Sequence, residues 1–177
     1  MTESAMMPVM RPNREDLEMQ MAGATATTAP LNSYADTLGG NDSISLSDTI
    51  ADAPINVLLV EDDEGDAYLI EKALNKNRKV GHIVRARDGE EALEMIASGS
   101  VHPDLALIDL QMPRKDGFSL LLEMQKYDVD CTCVALTSSR SGADSLRCFH
   151  RGARMFVSKP KQPEQLSALL NEVIREL

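Results

Sequence analysis

Bases are the scarce charge in this chain. Eighteen Lys and Arg stand against 28 Asp and Glu, a net charge of −10. So acidic a chain lacks the basic face that general nucleic-acid binding needs. Cysteine is sparse too, with only Cys131, Cys133 and Cys148. Cys131 and Cys133 alternate within an apolar run and read as strand residues. There is no second Cys pair, and His82, His102 and His150 are not spaced to complete a metal site. This usage fits a reducing cytosol. No apolar run approaches the roughly 18 residues that span a bilayer, and the amino terminus lacks the basic and apolar regions of a signal peptide. The expected location is therefore cytoplasmic.

Residues 1–54 stand apart. Ser, Thr, Ala, Asn and Gly dominate 22–40, and Met is dense at the start (Met1, Met6, Met7, Met10, Met19, Met21). Eight acids and two bases, Arg11 and Arg14, give this third −6 of the net charge. Large apolar residues are too few to offset the entropy of ordering, so the expectation is a low-complexity, mostly disordered extension. Asn13 could cap a short helix through Met21, marginal by itself because only Leu17 and Met21 share a face. A docking arm and a plain extension both remain open readings.

From Ile55 the pattern changes to short apolar strands alternating with amphipathic segments. The strands read as 55–60, 82–86, 104–108, 131–136 and 155–158. Helices fall at about 65–77, from the Asp88 cap to Gly99, at 118–127, at 143–151 before Gly152, and from Pro163 onward. Asp88 with Glu91 three residues on has the form of a capping box. In the last helix Leu166, Leu169, Leu170, Val173, Ile174 and Leu177 make one stripe, whose plain meaning is packing onto a sheet. Apolar runs of this kind are buried on both faces, which implies α/β architecture with a five-stranded parallel sheet. The doubly wound, flavodoxin-like order 2-1-3-4-5 brings the ends of strands one, three, four and five to one edge.

What sits at those ends carries the chemistry. Glu61 and Asp62 follow strand one, Asp109 strand three, Thr137 strand four and Lys159 strand five. Three carboxylates held together repel one another unless a cation is present. A hard divalent ion such as Mg²⁺ suits oxygen ligands. Glu61, Asp62, Asp109 and a backbone carbonyl near Gln111 are the candidate ligands. With the charge so balanced, Asp109 can attack a phosphoryl group in line and form an acyl phosphate. Lys159 supplies a compact positive charge for the phosphoryl oxygens, and the Thr137 hydroxyl a hydrogen bond.

Val60-Glu61-Asp62-Asp63, Asp109 followed by Met112-Pro113 and Asp116-Gly117, Ala135-Leu136-Thr137-Ser138, and Val157-Ser158-Lys159-Pro160 together resemble the receiver domain of two-component response regulators, the chemotaxis-regulator type. The resemblance covers about 55–177. It implies that Asp109 takes a phosphoryl group from a sensor histidine kinase or histidine phosphotransfer protein, with Mg²⁺ required. It also implies that the chain promotes only its own phosphorylation and dephosphorylation rather than serving as an enzyme. The implied switch moves Thr137 toward the phosphoryl group and rotates an aromatic on strand five inward. Phe156 fills that position without the hydroxyl that a Tyr would bring, and it also reads as a plain core residue. Leu58–Asp62 with Asp66–Ile70 resembles the stand-alone regulators paired with bacterial phytochromes. Gln111 and Ser139 lie where the family tunes phosphoryl lifetime.

Leu177 is expected to close the last helix, with no helix-turn-helix, cyclase-like or hydrolase segment after it. A stand-alone switch is therefore expected, acting through protein contacts or phosphoryl relay. The resemblance points to the fourth helix, fifth strand and fifth helix as the output face, and leaves a homodimer open. Arg140, Arg147, Arg151, Arg154, Lys159 and Lys161 fall in that region as a basic patch for an acidic partner, or as a plain solvated face. Other readings fit less well. An aspartyl phosphohydrolase resembles a strand ending in Asp-x-Asp, whereas Gln111 stands two after Asp109, and no insertion is long enough for a cap. A dinucleotide domain needs a Gly-rich loop where Asp62-Asp63-Glu64 stand. A degenerate receiver that binds partners without phosphorylation remains the alternative.

Overall fold

Five short strands rich in Val, Leu and Ile form the centre of the molecule in the computed structural model, which describes residues 53–127, 129–138 and 142–177. The expectations for 1–52, including the Asn13–Met21 helix, and those for Ser139 and Arg140 fall outside the described residues. In chain order the elements are β1 (Ile55–Val60), α1 (Glu64–Leu74), β2 (Val80–Ala86), α2 (Gly89–Ala97), β3 (Leu105–Ile108), α3 (Gly117–Met124), β4 (Thr132–Thr137), α4 (Gly142–Phe149), β5 (Met155–Ser158) and α5 (Pro163–Arg175). All pairings are parallel, in the order β2-β1-β3-β4-β5. This is the expected doubly wound, flavodoxin-like sheet.

Alternation along each strand divides the core into two layers. Val57 and Leu59 of β1 point to one face, where Ile70 and Leu74 of α1 and Leu166, Leu170 and Val173 of α5 cover them. Leu58 and Val60 point to the other, under Leu93 of α2 and Leu120 and Leu121 of α3. The α5 stripe thus packs on the sheet as expected, with one exception. The helix stops at Arg175, and Leu177 lies beyond it, 47% exposed.

Helix starts follow their caps. Asp63 Oδ1 accepts from the Asp66 N–H, and Asp116 Oδ1 accepts from Ser119 N–H. Asp88 Oδ1 accepts from both Glu90 and Glu91 N–H, while Glu91 Oε2 reaches back to the Arg87 N–H at 2.6 Å. The capping box therefore forms one residue earlier than its usual return bond. Ends differ from the periodicity by two or three residues. α1 stops at Leu74, where the bonds tighten to i→i−3: Lys76 N–H donates to Ala73 O and Asn77 N–H to Leu74 O, while the Asn75 side-chain amide donates to Glu71 O. α3 stops at Met124, short of Tyr127.

Candidate functional site

The carboxyl ends of β1, β3, β4 and β5 bring Glu61, Asp62, Asp109, Thr137 and Lys159 together, as expected. The backbone fixes these ends to one another. Asp109 N–H donates to Val60 O at 2.9 Å, and Lys159 N–H to Thr137 O at 2.8 Å. Glu61 is 1% exposed, Thr137 is fully buried and Asp109 is 9% exposed, whereas Asp62 faces solvent.

Lys159 is the hub. Its Nζ lies 2.6 Å from Glu61 Oε2, 2.8 Å from Asp109 Oδ2 and 3.0 Å from Asp66 Oδ2. An ammonium has three N–H donors, and here each has a carboxylate acceptor. Burial works against its charge, yet the bonds to Asp109 and Glu61 hold its pKa above the ordinary lysine value. Burial pushes the Glu61 carboxyl from 4.5 up to about 7; Lys159 opposes that shift, while Asp109 and Asp66 add to it. The remaining oxygens are also placed. Glu61 Oε1 accepts from Asp63 N–H at 3.3 Å, and Asp109 Oδ1 from Gln111 N–H at 3.1 Å.

One carboxylate oxygen from each of Glu61, Asp62 and Asp109 lies within 4.8 Å of the other two. An all-oxygen set in which burial disfavours the charge of one member, Glu61, is the kind that a hard divalent cation satisfies. The residues present therefore fit such an ion.

Two further residues complete the site. Asp66, which the sequence marks only through the family resemblance, lies on the first turn of α1, four residues beyond Asp62. Arg85 lies within the expected second strand. Its Nε donates to Glu61 O at 3.0 Å, one terminal nitrogen to Asp62 O at 3.3 Å and the other to Glu64 Oε2 at 2.6 Å. A charged residue at the end of an apolar strand, level with Leu59 in the neighbouring strand, was the available signal.

The β3–α3 loop is closed by Gly117. A Cβ there would overlap the Asp109 carbonyl oxygen and stand 2.9 Å from Leu110 Cα. Within the loop Arg114 takes a left-handed conformation, φ 61°. Its guanidinium forms an ion pair with Asp88 Oδ2, on a residue with no exposed surface.

Phe156 is 7% exposed and packs in the same layer as Ala135, Leu120 and Cys148. The basic patch is smaller than its sequence. Lys159 belongs to the site. The Arg147 guanidinium lies 4.1 Å from the centre of the Phe118 ring, and Arg151 donates to Phe118 O at 3.0 Å. Both arginines thus reach toward α3; Arg151 is half-buried, while Arg147, Arg154 and Lys161 stay exposed among the described residues of the six.

Comparison with known proteins agrees with this geometry. Residues 57–171 match the sequence profile of the response regulator receiver domain. The chain is 30% identical over 122 residues to the sensor histidine kinase CheAY of Helicobacter pylori, covering 67% of this chain and 15% of that protein. It spans about half the length of the other curated relatives it matches. Among solved structures, the phosphorylated cyanobacterial phytochrome response regulator RcpA aligns with a TM-score of 0.63 and 27% identity, over 68% of this chain and 91% of that one. The Mn²⁺-bound form of the response regulator Rcp1 aligns with a TM-score of 0.61 and 26% identity, over 68% and 91%.

Proposed function

The chain belongs to the response regulator receiver family of two-component signalling, and from that membership we propose that Asp109 is its phosphoacceptor. The observation that carries this reading is the Lys159 ammonium 2.8 Å from Asp109 Oδ2, at the edge where Glu61 and Asp62 also converge. In the forward step an Asp109 carboxylate oxygen attacks the phosphorus of a phosphohistidine on a sensor histidine kinase or histidine phosphotransfer protein. The O–P bond forms, the P–N bond breaks, and the imidazole leaves and takes a proton. Hydrolysis returns Asp109 and inorganic phosphate. Glu61, Asp62, Asp109 and the Gln111 carbonyl would hold Mg²⁺, which would supply charge neutralisation for the phosphoryl oxygens. Lys159 offers its donors to one of those oxygens, and Thr137 its hydroxyl to another. The chain in this reading acts on no separate substrate and promotes only its own phosphorylation and dephosphorylation.

The output is a change in protein contacts. Thr137 closing on the phosphoryl group frees space behind it, and Phe156, which has no hydroxyl to anchor it, keeps its buried place by apolar packing alone. The face of α4, β5 and α5, where Leu146 is 62% exposed, then meets a downstream protein or a second copy of the chain. Among the described residues no helix is long and apolar enough to cross a membrane, which suits a cytoplasmic partner kinase.

Intact-mass measurement after incubation with Mg²⁺ and acetyl phosphate tests the proposal. A gain of about 80 Da, one phosphoryl group, is expected, lost in chelator and in Asp109→Asn. No gain under conditions that modify a control receiver would favour the alternative, a receiver-like module that binds partners without phosphorylation.

A further inference from the structure

We infer that Asp66 is a positioning residue that holds the Lys159 ammonium over the site when a cation occupies the acidic cluster; the inference rests on the phosphoacceptor reading. Lys159 bonds three carboxylates, Glu61, Asp109 and Asp66. Two of these, Glu61 and Asp109, also belong to the trio whose oxygens come within 4.8 Å of one another. Asp66 does not. A divalent cation in the cluster competes with the ammonium for Glu61 and Asp109, and only the Asp66 bond is left outside that competition.

Asp66 is built for this task from both ends. Its backbone N–H is tied to Asp63 Oδ1 at 2.8 Å, which fixes it in the first turn of α1. A carboxylate there is favoured by the helix dipole, so its charge is cheap to hold. On the other side, the Lys159 backbone N–H is bonded to Thr137 O at 2.8 Å, and Pro160 follows it. The Lys159 side chain is therefore strung between the end of β5 and the start of α1. It is 9% exposed, while the Asp66 side chain, at 44%, faces the mouth of the site. A flexible four-carbon stem otherwise has many rotamers to lose on meeting a phosphoryl oxygen. Asp66 removes that loss beforehand and leaves the other two N–H donors aimed at Glu61 and Asp109.

Asp66→Ala and Asp66→Asn in the full chain test this. The measurements are the rate of Asp109 phosphorylation by phosphoramidate at saturating Mg²⁺, the Mg²⁺ dissociation constant, and the ¹⁵N–¹H signal of the Lys159 ammonium in Mg²⁺-saturated protein. Asp66→Ala should slow phosphorylation about fivefold or more, leave Mg²⁺ affinity within about twofold, and broaden or abolish the ammonium signal. Asp66→Asn keeps an oxygen acceptor and should recover more than half of the lost rate. A wild-type rate in Asp66→Ala overturns the inference. So does a rate loss that tracks weakened Mg²⁺ binding, because Asp66 would then act on the cation and not on Lys159. If the wild-type chain takes no phosphoryl group, the phosphoacceptor reading fails instead, and an unchanged ammonium signal in Asp66→Ala still overturns the positioning role.

Discussion

The β1–α1 loop and the β3–α3 loop meet at the Asp109 carboxylate, yet they are held differently. The first is a run of acids, Glu61 to Glu64, gripped by cations, with Lys159 on the Glu61 carboxylate and Arg85 on the outer side. Arg85 takes the Glu61 and Asp62 carbonyls and the Glu64 carboxylate together. The second is held by close packing and by an ion pair whose Asp88 end alone is buried. Gly117 lets α3 start against the Asp109 carbonyl, and Arg114 reaches from a left-handed turn to a wholly buried Asp88. The difference teaches that the acceptor loop is fixed mainly by steric packing against the Asp109 backbone, while the acidic loop is fixed electrostatically and can answer to a cation.

The largest break should come from Gly117→Val. Its side chain would meet backbone, which cannot swing aside, so overpacking should cost about 1–3 kcal/mol or more and displace Asp109. Thermal denaturation together with phosphorylation assays would register both losses. Arg114→Ala should come next. It leaves Asp88 Oδ2 buried without its ion pair, at a cost of about 1–3 kcal/mol. Arg114→Gly loses the same pair but relieves the left-handed backbone, so it should be the less destabilised of the two in urea titration. Equal stabilities would mean that the turn holds no strain.

Arg85→Ala acts on the electrostatic loop and should cost less, about 1 kcal/mol, since half of the group it grips is solvated. Its larger signature should be Mg²⁺ binding weakened several-fold, read by titration calorimetry. A further effect is a pH dependence. Glu61 is raised in the folded state from 4.5 to about 7, so the fold holds a proton that the unfolded chain releases. That contribution is full below about 4.5 and is lost as pH rises through about 7. Metal-free protein should therefore melt progressively lower across this window, and Glu61→Gln should flatten the slope.

Much of this frame was legible in the chain. Branched strands, the cap at Asp88 and the α5 stripe carry short-range signals with clear periods, and the acids, Thr137 and Lys159 stand at the strand ends where the topology gathers them. The residues that escaped act across long separations. Arg85 crosses to the loop of the neighbouring strand, and Arg114 reaches a cap that precedes it by 26 positions. No periodicity marks either one. The sequence also places Arg147 and Arg151 on one helix face without marking the Phe118 ring and carbonyl that they meet.

The central claim is that Asp109, and no other carboxylate of the cluster, takes the phosphoryl group. Borohydride reduction of the acetyl phosphate-treated chain, followed by peptide mass mapping, tests it most directly. Reduction of an acyl phosphate converts aspartate to homoserine, and the account predicts that change at position 109 alone. Homoserine at Asp62 or Asp66, reduction at Glu61, or no reduced residue beside a modified control receiver, would contradict it.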